Sequence, residues 1–389
     1  MCPETFIDEV EQLSKIYRSE CFPDFYIRTA YSIDDEQLMN LGQEQIDCSQ
    51  FTLGFFRTPS YLAVSALQYN RSETKVIVLA KRPDVVVGML NIGWKYCYLN
   101  AQADLIRYIS DLKVLPAYRG RKLIHFMMQF LRETLPLGTV VQSIVPNQHA
   151  ELQRILYTPR QGFATAQLYD HVHIYNLCHI KMPEQYTRFR FEVLTESSVS
   201  AATNFIAEMK AYYNFLPTYD FAALAVGGHP FWCGLKLSDF YLVYNHANKV
   251  IGIYGLWDQM AFKQAKIVEY KFPYQHFRTA LNMLAPLRGR MRLPELHKNI
   301  PYAHVHSPLC HPQYTDVFRS ILYHAQQQAR LRRKDSISFA MAERDPRRKS
   351  LKGAIYYKMK AKHTLHSFSG CPEAGFDHRK ISYFELSRL

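Results

Sequence analysis

The stretch VLPAYRGRKLI, residues 114–124, combines the end of a strand, a tight basic turn and the start of a helix. From Ile124 onward, apolar residues recur at helical spacing, and the helix is predicted to end before Pro136. A helix that begins directly after a strand presents free backbone N–H groups, and its dipole favours an anion at that end. The stretch therefore predicts a phosphate or pyrophosphate site.

The turn itself supports this reading. Arg119, Arg121 and Lys122 add positive charge, and Gly120 permits a backbone shape that other residues resist. The spacing matches neither the Gly-x-x-x-x-Gly-Lys-Ser/Thr loop of nucleotide triphosphate sites nor the Gly-x-Gly-x-x-Gly of dinucleotide sites. A nucleoside triphosphate or NAD is therefore not the predicted ligand.

The run Val114-x-Pro116-x-Tyr118-Arg119-Gly120 resembles the signature of the GNAT superfamily of N-acyltransferases. Residues 24–178 also resemble that fold in the order of their elements: strand, helix, hairpin, long strand, signature helix, strand, helix, strand. Downstream, VVQSIVPNQHAELQRILYTPRQGF, residues 140–163, is similar to the strand–Asn–helix–Tyr–Gly–Phe segment of the family. The resemblance implies an α/β (α+β) fold with a mixed, mostly antiparallel twisted sheet flanked by helices.

The resemblance also implies a cosubstrate and a site. The cosubstrate is acetyl-CoA or another acyl-CoA, no metal is needed, and a primary amine of unspecified identity attacks the thioester directly. Tyr157 resembles the tyrosine that protonates the leaving thiolate, and Asp111 is a candidate base. Strand alternation could equally face Asp111 away from the cleft, and Tyr157 could simply pack its helix on the sheet. The cofactor-binding residues implied are Leu112, Lys113, Val114, Arg119, Gly120, Arg121, Lys122, Leu123 and Asn147.

Two residues depart from the family pattern Arg-x-x-Gly-x-Gly/Ala. Lys122 stands where a glycine is usual, and a positive φ there would strain it by roughly 1–2 kcal/mol. Ile124 stands where a small residue lets the helix and the cofactor approach each other.

The second half of the chain repeats the order of the first. Ile27 and Gly88 are 61 residues apart, as are Phe191 and Gly252, and both glycines lie in apolar hairpin strands. YAHVHSP and SISFAMAERDP are predicted as two central strands around a long helix, and residues near 265–300 as an insertion. We therefore predict two GNAT-like domains, residues 1–180 and a degenerate, basic copy at 181–365, followed by a tail at 366–389 that is a docking tail or partly disordered.

Composition limits the remaining possibilities. The eight cysteines include no Cys-x-x-Cys pair, the start is not a secretory signal, and no apolar run is long enough for a membrane span. A cytoplasmic protein is therefore predicted. HVHSPLCH fits no standard zinc spacing. The oligomeric state does not follow from the sequence.

The charge is uneven between the halves. Residues 191–389 hold 27 Lys/Arg and 15 Asp/Glu, whereas residues 1–190 hold 20 and 19. The basic clusters ARLRRKD and RDPRRKSLKG leave open a second hypothesis, a non-catalytic GNAT-shaped scaffold that binds an acidic partner such as nucleic acid.

Overall fold

A computed structural model describes residues 3–285 and 293–389. The helices are α1 Pro3–Ser14, α2 Asp35–Gly42, α3 Tyr61–Gln68, α4 Leu123–Thr134, α5 Ala150–Tyr157, α6 Val199–Met209, α7 Phe221–Val226, α8 Tyr274–Leu284 and α9 Thr315–Leu331. The strands of the first half are β1 Phe25–Thr29, β2 Glu44–Asp47, β3 Phe51–Arg57, β4 Arg71–Leu79, β5 Arg82–Leu99, β6 Gln102–Val114, β7 Val140–Pro146 and β8 Thr165–His179. The strands of the second half are β9 Arg190–Val193, β10 Tyr213–Asn214, β11 Leu216–Pro217, β12 Phe240–Tyr244, β13 Val250–Trp257, β14 Lys263–Tyr270, β15 Tyr302–Cys310, β16 Ser336–Ala342, β17 Ile355–Ser367 and β18 Ile381–Ser382.

In the described residues, one large sheet runs through both halves of the chain. Its order is β1-β4-β5-β6-β7-β17-β8-β16-β15-β13-β12-β9, with β11 paired to β5. Neighbouring strands are antiparallel except for β6–β7 and β15–β16, which are parallel. The predicted fold class, a mixed and mostly antiparallel sheet flanked by helices, is confirmed.

The two halves of the sheet contain corresponding rows of paired residues. In each half a cross-strand row passes through the edge strand, the hairpin and the long central strand. The first row is Ile27–Ile77–Gly88–Val114 and the second is Phe191–Val243–Gly252–Cys310. The 61-residue spacing in the sequence therefore corresponds to equivalent positions in two sets of paired strands.

The glycines in these rows let a helix lie close to the sheet. A Cβ at Gly88 would come 3.0 Å from the Met127 side chain of α4, and one at Gly252 would come 2.9 Å from the Ile321 side chain of α9. Both helices bury an apolar face against the sheet, which is why their apolar residues recur at helical spacing.

The last long strand of each half lies next to the other half. β17 inserts between β7 and β8, and β8 pairs on its other side with β16. Strands from both halves thus alternate at the centre of the sheet. The domain boundaries at residues 180 and 365 stay a prediction, and the second boundary falls within β17.

Part of the first half was not predicted from the sequence. β2 and β3 form a three-stranded sheet with β14 from the second half, in the order β14-β3-β2. The insertion predicted near 265–300 contains β14 and α8, and its residues 286–292 lie outside the described part of the chain.

The tail is ordered and packs within the molecule. Tyr383, Phe384 and Arg388 are buried, and Glu385 is only 7 % exposed. Of the two expectations for the tail, this packing favours docking for residues 381–389, because the segment fills space beside β15.

Candidate functional site

The two parallel strands β6 and β7 touch only at one end. They pair at Arg107–Val141 and Tyr108–Gln142 and then run on separately to Val114 and Pro146. Where parallel strands separate, their backbone edges and side chains are left to line a cleft between them. A groove of about 740 Å³ opens at this point and is bordered by α2, β6, the basic turn, α4 and α5.

The basic turn has the geometry of an anion site. Gly120 has φ +81°, and Lys122, which precedes the first turn of α4, has φ +58° and ψ +24°. The glycine position of the family pattern is thus in the left-handed conformation here, and the lysine that occupies it carries the expected strain. Arg119, Lys122 and the more distant Arg160 bring positive charge to the groove beside the backbone N–H groups of α4.

Most of the implied cofactor-binding residues line this groove. They are Leu112, Lys113, Val114, Arg119, Gly120, Lys122 and Leu123. Among the residues that the structure describes, Arg121 and Asn147 are not part of its lining: Arg121 lies over the Tyr118 ring, and the Asn147 backbone N–H donates to the Lys360 carbonyl. Their cofactor roles stay a prediction that this arrangement does not favour.

The side chain of Lys113 is already engaged. Its Nζ donates to the carbonyls of Gly42 and Gln43 at 2.9 and 3.1 Å, and so neutralises the C-terminal end of α2. A contact from Lys113 to a ligand in the groove is therefore expected from its backbone rather than from its ammonium group.

Asp111 lies on a β-bulge at the inner end of the groove. The ladder of β5 and β6 shifts register between Met89 and Asn91, and Asp111 has φ +53°. Its Oδ2 accepts hydrogen bonds from Arg57 Nη1 at 2.6 Å and from the Tyr61 hydroxyl at 2.8 Å. Burial raises the pKa of this carboxyl, but the charges of Arg57 and Lys113 and the hydrogen bonds from Arg57 and Tyr61 together outweigh burial and leave the pKa at about 2.

This environment bears on the proposed base role of Asp111. A carboxylate with a pKa of about 2 is a weak proton acceptor near neutral pH, because its ion pair with Arg57 would be lost on protonation. The structure brings Asp111 to the cleft, as one reading of the sequence expected, and it also gives this side chain a structural partner.

A second carboxylate borders the same place. Glu44 Oε1 lies 2.9 Å from His149 Nε2, and both side chains are about one-third exposed. Burial raises the pKa of Glu44, but the hydrogen bond to His149 and the charge of Lys113 outweigh burial and lower it. Glu44 and His149 come from β2 and the start of α5, two elements joined only by the tertiary fold.

The structure places Tyr157 away from the groove lining. Its hydroxyl is hydrogen-bonded to Thr364 Oγ1 on β17, and the Lys362 ammonium lies 4.9 Å from its ring centroid. Burial raises the pKa of Tyr157, so its proton is held more tightly than in a free tyrosine. Tyr157 and Asp111 are thus not shown in contact, and the acid role of Tyr157 stays a prediction.

A separate cavity of about 620 Å³ meets the groove at its inner end. It lies between the β14-β3-β2 sheet and the main sheet, so both halves of the chain form its walls. The residues shared by the groove and the cavity are Glu44, Asp111, Ile144 and Pro146. This junction is the place where molecules entering from the two openings would meet.

The second half has an equivalent bulge whose backbone contacts a different partner. Ser307 has φ +49°. It follows His306, which pairs with Gly255, just as Asp111 follows Ser110, which pairs with Asn91. Its backbone N–H donates to Glu385 Oε2 at 2.7 Å. The turn that follows, from His311 to Tyr314, contains no glycine, lysine or arginine.

Some arginines in the basic clusters of the second half are engaged within the chain. Arg332 pairs with Asp239 at 2.7 Å, and Arg347 pairs with Asp345 at 2.6 Å and is buried. Lysine and arginine side chains held in this way are not a free surface for phosphate groups. These two arginines give no support to the scaffold hypothesis with an acidic partner.

The described residues contain neither a metal cluster nor a membrane-spanning helix. Among the described residues, no group of three or more His, Cys, Asp or Glu side chains could hold a metal ion. In that same part of the chain, no helix is long and apolar enough to cross a membrane. His306 in HVHSPLCH lies beside Ser307 Oγ and Arg388 instead.

The sequence reading missed Arg57, Tyr61, Glu44 and His149. Arg57 ends FTLGFFR, an alternating stretch that is typical of a half-buried strand and could have been recognised. Nothing local to Glu44 or His149 predicts their contact, because 105 positions separate them.

Comparison with known proteins gives the fold. No known family description matches the chain, and no curated protein sequence matches it significantly. A solved structure of a GCN5-related glucosamine N-acetyltransferase region in a fungal multi-domain GH3 β-N-acetylglucosaminidase superposes with a TM-score of 0.56 at 12 % identity. The match covers 88 % of this chain and 38 % of the fungal chain, so the chain spans well under half of that protein.

A second similar structure is Saccharomyces cerevisiae N-myristoyltransferase with bound myristoyl-CoA. Its TM-score is 0.55 at 9 % identity, and the match covers 90 % of this chain and 84 % of the yeast chain. At these identities the likeness concerns the fold alone. The GNAT-like fold implied by the signature is therefore confirmed.

Proposed function

We propose that this chain is an acyl-CoA-dependent N-acyltransferase that transfers an acyl group, such as acetyl, to a primary amine. The observation that carries the proposal is the junction of the basic groove with the cavity at Glu44, Asp111, Ile144 and Pro146. The signature of the basic turn and the confirmed GNAT-like fold support the same reading. A cytoplasmic location remains part of the proposal.

The residues of the groove fit the cosubstrate. The α4 N–H groups, Arg119 and Lys122 would hold the pyrophosphate, because backbone donors and cations stabilise phosphate charge. The backbone of residues 112–114, at the separated end of β6, would pair with the amide groups of the pantetheine arm. When bound, acyl-CoA supplies an activated thioester at the junction.

The chain must also remove a proton from the attacking amine. A free alkylamine has a pKa of about 10.4 and is mostly charged at neutral pH, so it needs a base or a desolvating site. We propose that Glu44, hydrogen-bonded to His149, accepts this proton, alone or through a water. Asp111 is the alternative base, and its ion pair with Arg57 makes it the weaker acceptor. The acid role of Tyr157 for the leaving thiolate rests on the resemblance alone, because Tyr157 lies outside the lining of both the groove and the cavity.

Calorimetric titration with acetyl-CoA tests the proposal. We expect saturable heat and an upward shift of the thermal unfolding midpoint, because a ligand that binds only the native state stabilises it. No heat and no thermal shift at millimolar acetyl-CoA would overturn the proposal. With an acceptor in hand, E44Q should lower turnover more than D111N does, and the reverse order would return the base role to Asp111.

A further inference from the structure

The walls of the cavity beyond the junction are mainly apolar. Aromatic and aliphatic side chains from both halves line it, among them Phe51, Phe55, Tyr270, Tyr302, Ile267 and Ile300. Its volume of about 620 Å³ lies within the range of pockets that bury most of a small organic molecule. This lining favours a ligand with an apolar body that is about the size of one or two rings.

The charges in the cavity do not favour a ligand with several cationic groups. Of the side-chain carboxylates in the described lining, Asp111 is paired with Arg57, Glu44 with His149, and Asp47 with Lys271 at the exposed rim. A second ammonium group would therefore be desolvated without a free side-chain carboxylate as partner, which is costly in an apolar site.

Lysine side chains add to this effect. Lys263 and Lys358 both line the cavity. Burial lowers the pKa of Lys263 well below its ordinary value, and its Nζ donates to the Leu389 carbonyl. Extra positive charge on a ligand would lie beside these lysine side chains.

One side chain in this cavity is polar, buried and without a partner. Gln68, at the end of α3, is 2 % exposed, and neither its amide nitrogen nor its amide oxygen has a hydrogen-bond partner among the described residues. An amide buried without partners costs free energy in the unliganded protein. Gln68 borders the cavity and has one donor and one acceptor unused, but both amide atoms are fully buried, so the side chain must turn toward a ligand to pair with it.

A second unpartnered atom lies in the same lining. His304 is 8 % exposed, and within the described chain its Nδ1 has no hydrogen-bond partner. Burial lowers the pKa of His304 to about 3, so the ring is neutral near pH 7 and provides no counter-charge. Two unpartnered groups in one cavity indicate a ligand that has polar atoms of its own.

We propose that the cavity is the acceptor site and that the acceptor is a primary amine on an apolar body that carries one amide group and no second cationic group. The amide pairs with Gln68, whose Nε2 donates to its carbonyl and whose Oε1 accepts from its N–H. In transfer, the amine nitrogen forms a bond to the acyl carbon, the C–S bond breaks, and the amine proton leaves to the base while the thiolate takes up a proton. This inference rests on the proposed acyltransferase function.

A panel of four amines tests the substrate class with acetyl-CoA as donor. Phenylalaninamide has the apolar body and the amide, phenethylamine lacks the amide, lysinamide adds a cation, and spermidine has cations without an apolar body. We expect kcat/KM to fall in the order phenylalaninamide, phenethylamine, lysinamide, spermidine. A higher kcat/KM for lysinamide or spermidine than for phenylalaninamide would overturn the inference.

The variant Q68L tests the amide contact. It should raise KM for phenylalaninamide roughly 3- to 10-fold, as expected for the loss of one hydrogen bond, and leave KM for phenethylamine unchanged. The thermal midpoint should stay the same or rise, because leucine removes an unsatisfied buried amide. An equal loss with both amines, or a lowered midpoint, would refute the pairing with Gln68.

Gln264 is the matched control. It also lines the cavity, but its amide donates to the Met260 carbonyl at 2.9 Å and accepts from the Thr58 hydroxyl at 2.9 Å. Q264L should therefore lower the thermal midpoint, in contrast to Q68L. The experiments distinguish the proposed function from this inference. Failure to bind acetyl-CoA overturns the proposed function, whereas binding of acetyl-CoA without acetylation of phenylalaninamide overturns only this inference.

Discussion

The parallel strand pairs β6–β7 and β15–β16 are arranged alike, but different groups lie beside them. Each follows a glycine-containing hairpin strand, and each long strand carries a bulge with a positive φ, at Asp111 and at Ser307. In the first half the bulge borders an open groove with a basic turn. In the second half the bulge N–H donates to Glu385 of the same chain.

The difference shows how one backbone arrangement can serve for binding or for stability. Glu385 accepts from the hydroxyls of Tyr219, Tyr383 and Ser387 as well as from Ser307, so a buried carboxylate fills the second cleft. With that cleft filled, ligand binding is expected only in the first half. Four predictions test this division, from the largest effect to the smallest.

Removal of the carboxylate from the second cleft should have the largest effect. E385A leaves several buried donors unsatisfied and should lower the free energy of unfolding by about 3 kcal/mol in urea denaturation. Because Glu385 belongs to the filled cleft, the Kd for acetyl-CoA should stay within about twofold at a temperature where the variant is folded. E385Q keeps the shape and one acceptor, and it should lose less stability; an equal loss would place the effect elsewhere.

Charge reversal in the open cleft should have the opposite profile. R119E places a carboxylate beside the proposed pyrophosphate site and should weaken acetyl-CoA binding by about 2 kcal/mol, or roughly 30-fold in Kd, by calorimetry. Arg119 is exposed, so the thermal midpoint of the free protein should change little. The control Q313E puts the same charge in the turn of the second copy and should leave Kd unchanged; a matching loss would contradict the division.

Acid should act mainly on strands of the second half. Burial lowers the pKa of His304 on β15 and of His363 on β17 to about 3, below an unfolded value near 6.5. The unfolded chain binds these protons first, so stability is full above pH 6.5 and falls as the pH drops toward 3. Each group should contribute roughly 1.4 kcal/mol per pH unit in that window.

Urea midpoints at pH 7.5 and pH 5.5 measure this effect. H304Q should reduce the loss of stability between the two pH values by the contribution of one titrating group, because the neutral amide does not titrate. H125N, at a half-buried site on α4 in the first half, should change the loss less. Midpoints that do not depend on pH would contradict the assignment.

Relief of strain in the basic turn should have the smallest effect. K122G removes a side chain from a left-handed residue and should raise the free energy of unfolding by about 1 kcal/mol. It also removes a cation, so Kd for acetyl-CoA should rise a few-fold. K122A, which keeps the strain, should weaken binding equally without any gain in stability; equal stability of the two variants would show that the turn is not strained.

Much of the fold and of the groove could be predicted from local patterns. The run from Val114 to Gly120 and the helical spacing after Ile124 identified the signature strand, the turn and α4, because helix initiation and turn conformation depend on neighbouring residues. The equal spacing of Ile27–Gly88 and Phe191–Gly252 indicated the repeat, and these residues lie in corresponding rows of the two halves of the sheet.

Only the tertiary structure decided what surrounds these elements. The insertion of β17 between β7 and β8, the pairing of β14 with β3, and the burial of Glu385 against Ser307 join residues that are far apart in the chain. Such contacts depend on which distant surfaces bury one another, and a local pattern carries no record of its partner. The sequence thus determined a basic turn between a strand and a helix of a repeated α/β unit, and the packing of the two halves determined which cleft is open.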